Sequence, residues 1–91
     1  MHALTVAVSL DEGRLEEANQ ELQNNVVPLV RQSPGLIAGY WLAPMAGHGY
    51  AFIVYDSEQN AKGAAEMAKN TPSPDFVKFD RIDVQEIVAS T

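Results

Sequence analysis

The chain has 91 residues, 46% of them hydrophobic and none of them cysteine, which predicts a single domain over residues 1–91 without disulfide bonds. Its net charge of -6, with only six basic residues, argues against nucleic-acid binding. No segment approaches the roughly 20 apolar residues of a membrane span, and the first residues lack the basic region of a signal peptide. We therefore expect a cytoplasmic protein that contacts neither membrane nor nucleic acid.

The first elements are predicted to be a strand followed by an interrupted helix. Residues 3–10 alternate between large apolar and small or semi-polar side chains, the pattern of a half-buried strand. From Asp11, a candidate N-cap, an apolar stripe at helical spacing extends to Leu29. Because Pro28 lacks a backbone donor and restricts the residue before it, we expect a kink or break near residues 24–25.

The middle of the chain predicts a hairpin. The segment SPG at 33–35 ends the helix, and LIAGYWL at 36–42 is rich in strand-forming residues. A loop with one proline and two glycines leads to a returning strand, YAFIVY, at 50–55. Either Asp56 or Ser57 can then cap a second helix.

The second helix and the last strand complete the pattern. The helix has an unusually small apolar face, formed by Ala61, Ala64, Ala65 and Ala68. After a breaker cluster at 70–75, residues 77–89 alternate again, with Ile82, Val84 and Val88 on one face. The order β-α-β-β-α-β is that of a ferredoxin-like α+β subunit, with a four-stranded antiparallel sheet and two helices on one face.

In the second and third strands, odd-numbered and even-numbered positions are both apolar, so both faces of these strands are apolar. The face that the helices leave bare is therefore predicted to contact a partner. In the second strand the two sets are Leu36, Ala38, Tyr40 and Leu42, and Ile37, Gly39 and Trp41. A monomer would normally place polar side chains on the bare face. We therefore expect a homodimer that forms through the sheet face.

Three segments resemble the antibiotic-biosynthesis-monooxygenase-like (ABM-like) family of dimeric α/β barrels. They are VVPLVRQSPGLIAGYW, YAFIVYDSEQNA and RIDVQEIVA, and the resemblance extends over essentially the whole chain. The resemblance implies a dimeric barrel with a pocket between each sheet and its helices or inside the barrel. It also implies activities such as cofactor-independent oxygenation of electron-rich aromatics, haem degradation, or lactone and isomerase chemistry.

From that resemblance, the candidate pocket residues are Trp41, Tyr40 and Tyr55, with Arg81 as a candidate to hold an anionic substrate. Each also has a structural interpretation. Trp41 can anchor the dimer interface or the core, and a strand tyrosine usually packs its ring while its hydroxyl meets water. Arg81 can pair with Asp83, two residues along on the same strand face.

The histidines give little support to a metal or haem site. His48 lies between glycines at a hairpin tip, where we expect it to be solvated. It is also a candidate pocket residue and a candidate haem ligand. His2 is expected at a frayed terminus. Since metal sites need three or four converging ligands, we predict no metal and no cofactor.

The sequence is compatible with three hypotheses about function. The leading hypothesis is a dimer that binds a small apolar or aromatic ligand without established catalysis. The alternative is a cofactor-independent monooxygenase that acts on a small aromatic or polyketide-like substrate. A purely structural or regulatory module is the third, and the sequence leaves open whether the chain is an enzyme.

Overall fold

The strands and helices follow one another in the predicted order in a computed structural model that describes residues 1–91. The strands are β1 (His2–Leu10), β2 (Leu36–Trp41), β3 (His48–Tyr55) and β4 (Val77–Glu86). The first helix is divided into α1 (Leu15–Glu21) and α2 (Val27–Arg31), and the second is α3 (Glu58–Asn70). None of the helices is long and apolar enough to cross a membrane.

The four strands form one antiparallel sheet in the order β2-β3-β1-β4. The helices lie against one face of this sheet, where the side chains of Leu4, Ile53 and Tyr55 are buried. The structure therefore confirms the predicted ferredoxin-like architecture. The opposite face of the sheet, called the open face below, is covered by neither helix.

The segment from 12 to 31, called the helical arm below, changes its helical geometry along its length. It begins as a 3-10 turn (Glu12–Arg14), continues as α1, widens into a π-helical turn (Leu22–Val26) and ends as α2. The N–H of Val27 donates to the carbonyl of Leu22, five residues back. Pro28 then falls in the first turn of α2, where its missing donor is tolerated. The predicted break is confirmed.

A β-bulge near Ile37 changes which residues of β2 face the helices. Leu36 lies opposite Tyr55, but Ala38 lies opposite Val54, so one residue of β2 is left over. A bulge reverses the alternation, and Leu36 therefore shares the helix-facing side with Gly39 and Trp41. The prediction that Leu36 groups with Ala38, Tyr40 and Leu42 was wrong for this reason.

Two predictions at the ends of the chain also need correction. β4 ends at Glu86, and Val88 lies beyond it with 87% of its surface exposed, so the expected alternation does not continue to residue 89. His2 is not frayed, because it pairs with Tyr55 and Glu86 across the sheet and its imidazole lies 3.3 Å from the Glu58 carboxylate.

The densest packing lies between α3 and the sheet. Ala61 is fully buried and Ala65 is nearly so, and both belong to the cluster that contains the buried sheet residues. Ser57 caps α3 by accepting a hydrogen bond from the backbone of Asn60. Only seven of the 91 residues are buried, so the core is small.

Candidate ligand-binding cavity

A cavity of about 470 Å³ lies between the helix-facing side of the sheet and the helical arm. Its walls are mostly aliphatic, and 22 of the 32 residues that line it are hydrophobic. The sheet contributes Val6, Val8, Trp41, Ile53 and Tyr55, the arm contributes Leu15, Ala18, Leu22, Val26 and Leu29, and α3 contributes Ala64, Met67 and Ala68. This volume falls in the range of small-molecule sites, about 300–1,000 Å³.

Trp41 lines the cavity from the last position of β2. Its ring lies over Gly39, where an added Cβ would come within 3.1 Å of the Trp41 Cζ3 atom. The glycine therefore gives the indole room to lie flat along the strand. Trp41 faces the helices, and its ring both packs against the core and walls the cavity.

Tyr55 lines the cavity from the end of β3 and is 1% exposed. The Ser33 hydroxyl donates to the carbonyl of Val30 at 2.5 Å. It therefore accepts the hydrogen bond from the Tyr55 hydroxyl, at 2.9 Å. This chain of hydrogen bonds ties β3 to the C-terminal end of the helical arm.

The polar side chains that the arm adds to the cavity were not among the predicted site residues. Glu21, Asn19 and Asn25 all line the cavity. The Asn25 amide donates to the Glu21 carboxylate at 2.8 Å across the π turn. The pattern around Pro28 indicated that the helix is distorted here, but periodicity does not tell how far the arm stands from the sheet.

The other predicted site residues lie away from the cavity. Tyr40 is on the open face and 61% exposed. Arg81 pairs with Asp83 at 3.1 Å on β4 and lines only a shallow depression there. His48 is exposed at the tip of the β2–β3 hairpin and exchanges backbone hydrogen bonds with Met45. The structure thus brings Trp41 and Tyr55 together and separates these three from them.

Two exposed ion pairs flank the site without entering it. Arg14 donates to Glu17 at 2.7 Å and stacks on the Phe76 ring. The hydrogen bond lowers the pKa of the Glu17 carboxyl and raises the pKa of the Arg14 guanidinium. On α3, Lys62 and, to a smaller degree, His2 lower the pKa of Glu58. Neither pair contributes a side chain to the cavity lining.

Solved structures share this fold over almost their whole length. The haem-degrader MhuD from Mycobacterium tuberculosis, with two haems bound in its active site, superimposes with a TM-score of 0.74 at 17% identity, covering 100% of this chain and 99% of that one. The ActVA-Orf6 monooxygenase of Streptomyces coelicolor, in complex with nanaomycin D, gives 0.63 at 16% identity and coverages of 99% and 89%. The fold is ABM-like.

A dimeric ferredoxin-like protein from an uncultured marine organism also shares this fold. It gives a TM-score of 0.69 at 13% identity and covers 100% of this chain and 98% of that one. No protein-family model and no curated protein sequence matches the chain. The structural likenesses therefore confirm the predicted fold, and the activity has to be argued from the site.

Haem is bound in the active site of one of these structures. A histidine is the usual ligand of haem iron, and neither His2 nor His48 lines the cavity. The described residues also contain no group of three or more histidines, aspartates, glutamates or cysteines that could hold a metal ion.

Proposed function

We propose that the chain binds a small apolar or aromatic molecule in the cavity under the helical arm and acts as a homodimer. The observation that carries the proposal is the cavity itself, about 470 Å³ of mostly apolar space walled by Trp41 and Tyr55. The cavity is partly open to solvent, so an apolar ligand that enters it would remove its mostly apolar lining from water. A planar aromatic ligand would fill it and contact the exposed Leu15 and Leu29.

The binding proposal is tested by calorimetric titration with 2-naphthalenemethanol, a neutral bicyclic aromatic. At typical ligand efficiencies, we expect a dissociation constant on the order of 10–100 µM. Trp41 fluorescence should change in parallel, because the indole lines the cavity.

A matched pair of variants on the arm locates the binding. Ala18→Phe places a ring in the cavity, whereas Gln20→Phe places the same ring on the exposed side of α1. Ala18→Phe should weaken binding at least tenfold and Gln20→Phe should leave it unchanged. Equal affinities in the two variants would mean that the ligand binds elsewhere.

The homodimer is proposed to form through the open face. Its exposed side chains include Tyr40 and Phe52, which lie opposite each other in the β2–β3 pair and are 61 and 45% exposed. Contiguous apolar patches of this kind are typical of interaction sites, and stable interfaces bury about 800 Å² per partner. A dimeric ferredoxin-like protein with the same fold supports this assembly.

Light scattering tests the dimer directly. We expect twice the subunit mass at micromolar concentration, a monomer for Phe52→Lys, which puts a charge at the centre of the open face, and a dimer for Phe52→Leu. A monomeric wild type would refute the proposal.

Monooxygenase activity is the second candidate function, because the same mostly apolar cavity, walled by Trp41, can take an aromatic substrate. A monooxygenase with this fold, in complex with nanaomycin D, supports it. A hydroquinone-type aromatic should then be consumed with dioxygen uptake above the uncatalysed rate, and the uptake should fall in Trp41→Phe. Binding without oxygen uptake would leave the chain a ligand-binding protein.

A further inference from the structure

The cavity lining carries negative charge and no positive charge. Among the 32 lining residues, Glu21 is the only charged side chain. The other polar groups are neutral hydroxyls and amides, from Asn19, Asn25, Ser33, Tyr50, Tyr55, Thr71 and Ser73. No lysine, arginine or histidine lines the cavity, so no side chain there can neutralise a bound anion.

The six basic residues are all placed elsewhere. Four of them pair with carboxylates, in Arg14–Glu17, Lys62–Glu58, Lys69–Glu66 and Arg81–Asp83. The remaining two, Arg31 and Lys78, are exposed and outside the lining. The pairing of Arg81 with Asp83 also removes the one residue that the sequence offered as an anion holder.

The polar groups at the π turn are mainly hydrogen-bond acceptors. One N–H of the Asn25 amide donates to one oxygen of the Glu21 carboxylate, and its second N–H has no partner in the protein. The other carboxylate oxygen of Glu21 and the carbonyl oxygen of Asn25 receive no hydrogen bond from the protein. Glu21 is half-buried, so its charge is less screened than that of a surface carboxylate.

We propose that the cavity selects neutral or cationic aromatic ligands that carry a hydrogen-bond donor, and rejects their carboxylate analogues, with Glu21 as the specificity-determining residue. This inference rests on the proposed binding function. A ligand hydroxyl or ammonium group can donate to the free acceptors at Glu21 and Asn25. A ligand carboxylate would lose its water without gaining a cation, and would meet the Glu21 charge in an apolar space.

Three ligands of nearly equal shape test this specificity in the full-length protein. They are 2-naphthalenemethanol, 2-naphthylmethylamine and 2-naphthoate, which are neutral, cationic and anionic at pH 7.5. By calorimetry, we expect the amine to bind at least as tightly as the alcohol, and the naphthoate to bind at least tenfold more weakly than the alcohol.

Variants test whether the Glu21 carboxylate causes the preference for the alcohol over naphthoate. Glu21→Gln removes the charge at nearly constant shape. In this variant the dissociation constant for naphthoate should exceed that for the alcohol by about threefold or less. Glu16→Gln, on the exposed side of the same helix, is the matched control and should keep the wild-type ratio. Asn25→Lys places a cation beside Glu21 and should raise the affinity for naphthoate above that of the wild type.

The outcomes separate the inference from the function on which it rests. If none of the three ligands binds, the proposed binding function fails and the specificity fails with it. If all three bind and naphthoate is as tight as the alcohol, the cavity is a binding site but the specificity is overturned. A wild-type ratio that survives in Glu21→Gln would show that some other group excludes the anion.

Discussion

The two helical segments that cover the same face of the sheet pack in opposite ways. In α3, Ala61 is 0% exposed and Ala65 is 5% exposed, and both lie against the buried side chains of the sheet. In the helical arm no residue is buried, and Leu15 and Leu29 remain 38% and 45% exposed. One segment closes on the sheet and the other stands away from it.

The contrast shows how one sheet can serve stability and binding at the same time. Small alanines let the α3 backbone approach closely and exclude voids. The large leucines and valines of the arm reach into a gap that they do not fill, so the gap remains as the cavity. Stability should therefore depend on the α3 side, and ligand space on the arm side.

Alanine-to-leucine substitutions should give the largest difference in stability between the two segments. Ala61→Leu adds three carbons to a filled site and should lower the free energy of unfolding by about 1–3 kcal/mol. Ala18→Leu adds the same atoms facing the cavity and should change it by about 0.5 kcal/mol or less. Urea unfolding monitored by circular dichroism measures both. Equal losses would mean that the arm is as closely packed as α3.

The packing of α3 was readable from the sequence because its determinants are local. A stripe of alanines at helical spacing and a capping residue, Ser57, are visible without the fold. The interruption of the first helix near residues 24–25 was also predicted, since Pro28 constrains its own backbone. Each of these features follows from chemistry within a few neighbouring residues.

The features that the sequence did not show depend on distant parts of the chain. The bulge near Ile37 appears only when β2 is paired with β3, and it decides which side Leu36 faces. Trp41 and Tyr55 were named for the site, but Glu21 and Asn25 were not. Whether these two residues line a cavity depends on the distance from the arm to the sheet, which the hydrophobic pattern does not encode.

Tyr55→Phe should loosen the arm without disturbing α3. The variant removes the hydrogen bond from the tyrosine hydroxyl to Ser33 at 2.9 Å and leaves the ring in place. Its expected cost is about 0.5–1.5 kcal/mol in the free energy of unfolding. Amide hydrogen exchange should become faster in α2, which the bond helps to anchor, and stay unchanged in α3.

Ser33→Ala provides the control, because it removes the partner of the same hydrogen bond. If the bond carries the effect, the double variant should cost less than the sum of the two single variants. Full additivity would show that Tyr55 stabilises the arm through its ring alone.

Removing the exposed ion pairs should give the smallest difference in stability between the two segments. The pKa of Glu17 on α1 is lowered by Arg14, and the pKa of Glu58 on α3 is lowered by Lys62. A carboxyl whose folded-state pKa is depressed stabilises the protein above its ordinary pKa of 4.5. That contribution is lost as the pH falls through the folded-state value.

Glu17→Gln and Glu58→Gln should therefore each lower the melting temperature slightly at pH 7. The difference from wild type should vanish once the pH is low enough to protonate the carboxyl in the folded protein, and should shrink in 1 M salt. Glu58 also pairs with His2 across the α3–sheet contact, whereas the partner of Glu17 lies on the arm itself. The melting temperature should therefore fall further in Glu58→Gln than in Glu17→Gln. A larger loss from Glu17→Gln would mean that the arm depends on its own ion pair more than α3 depends on its contact with β1.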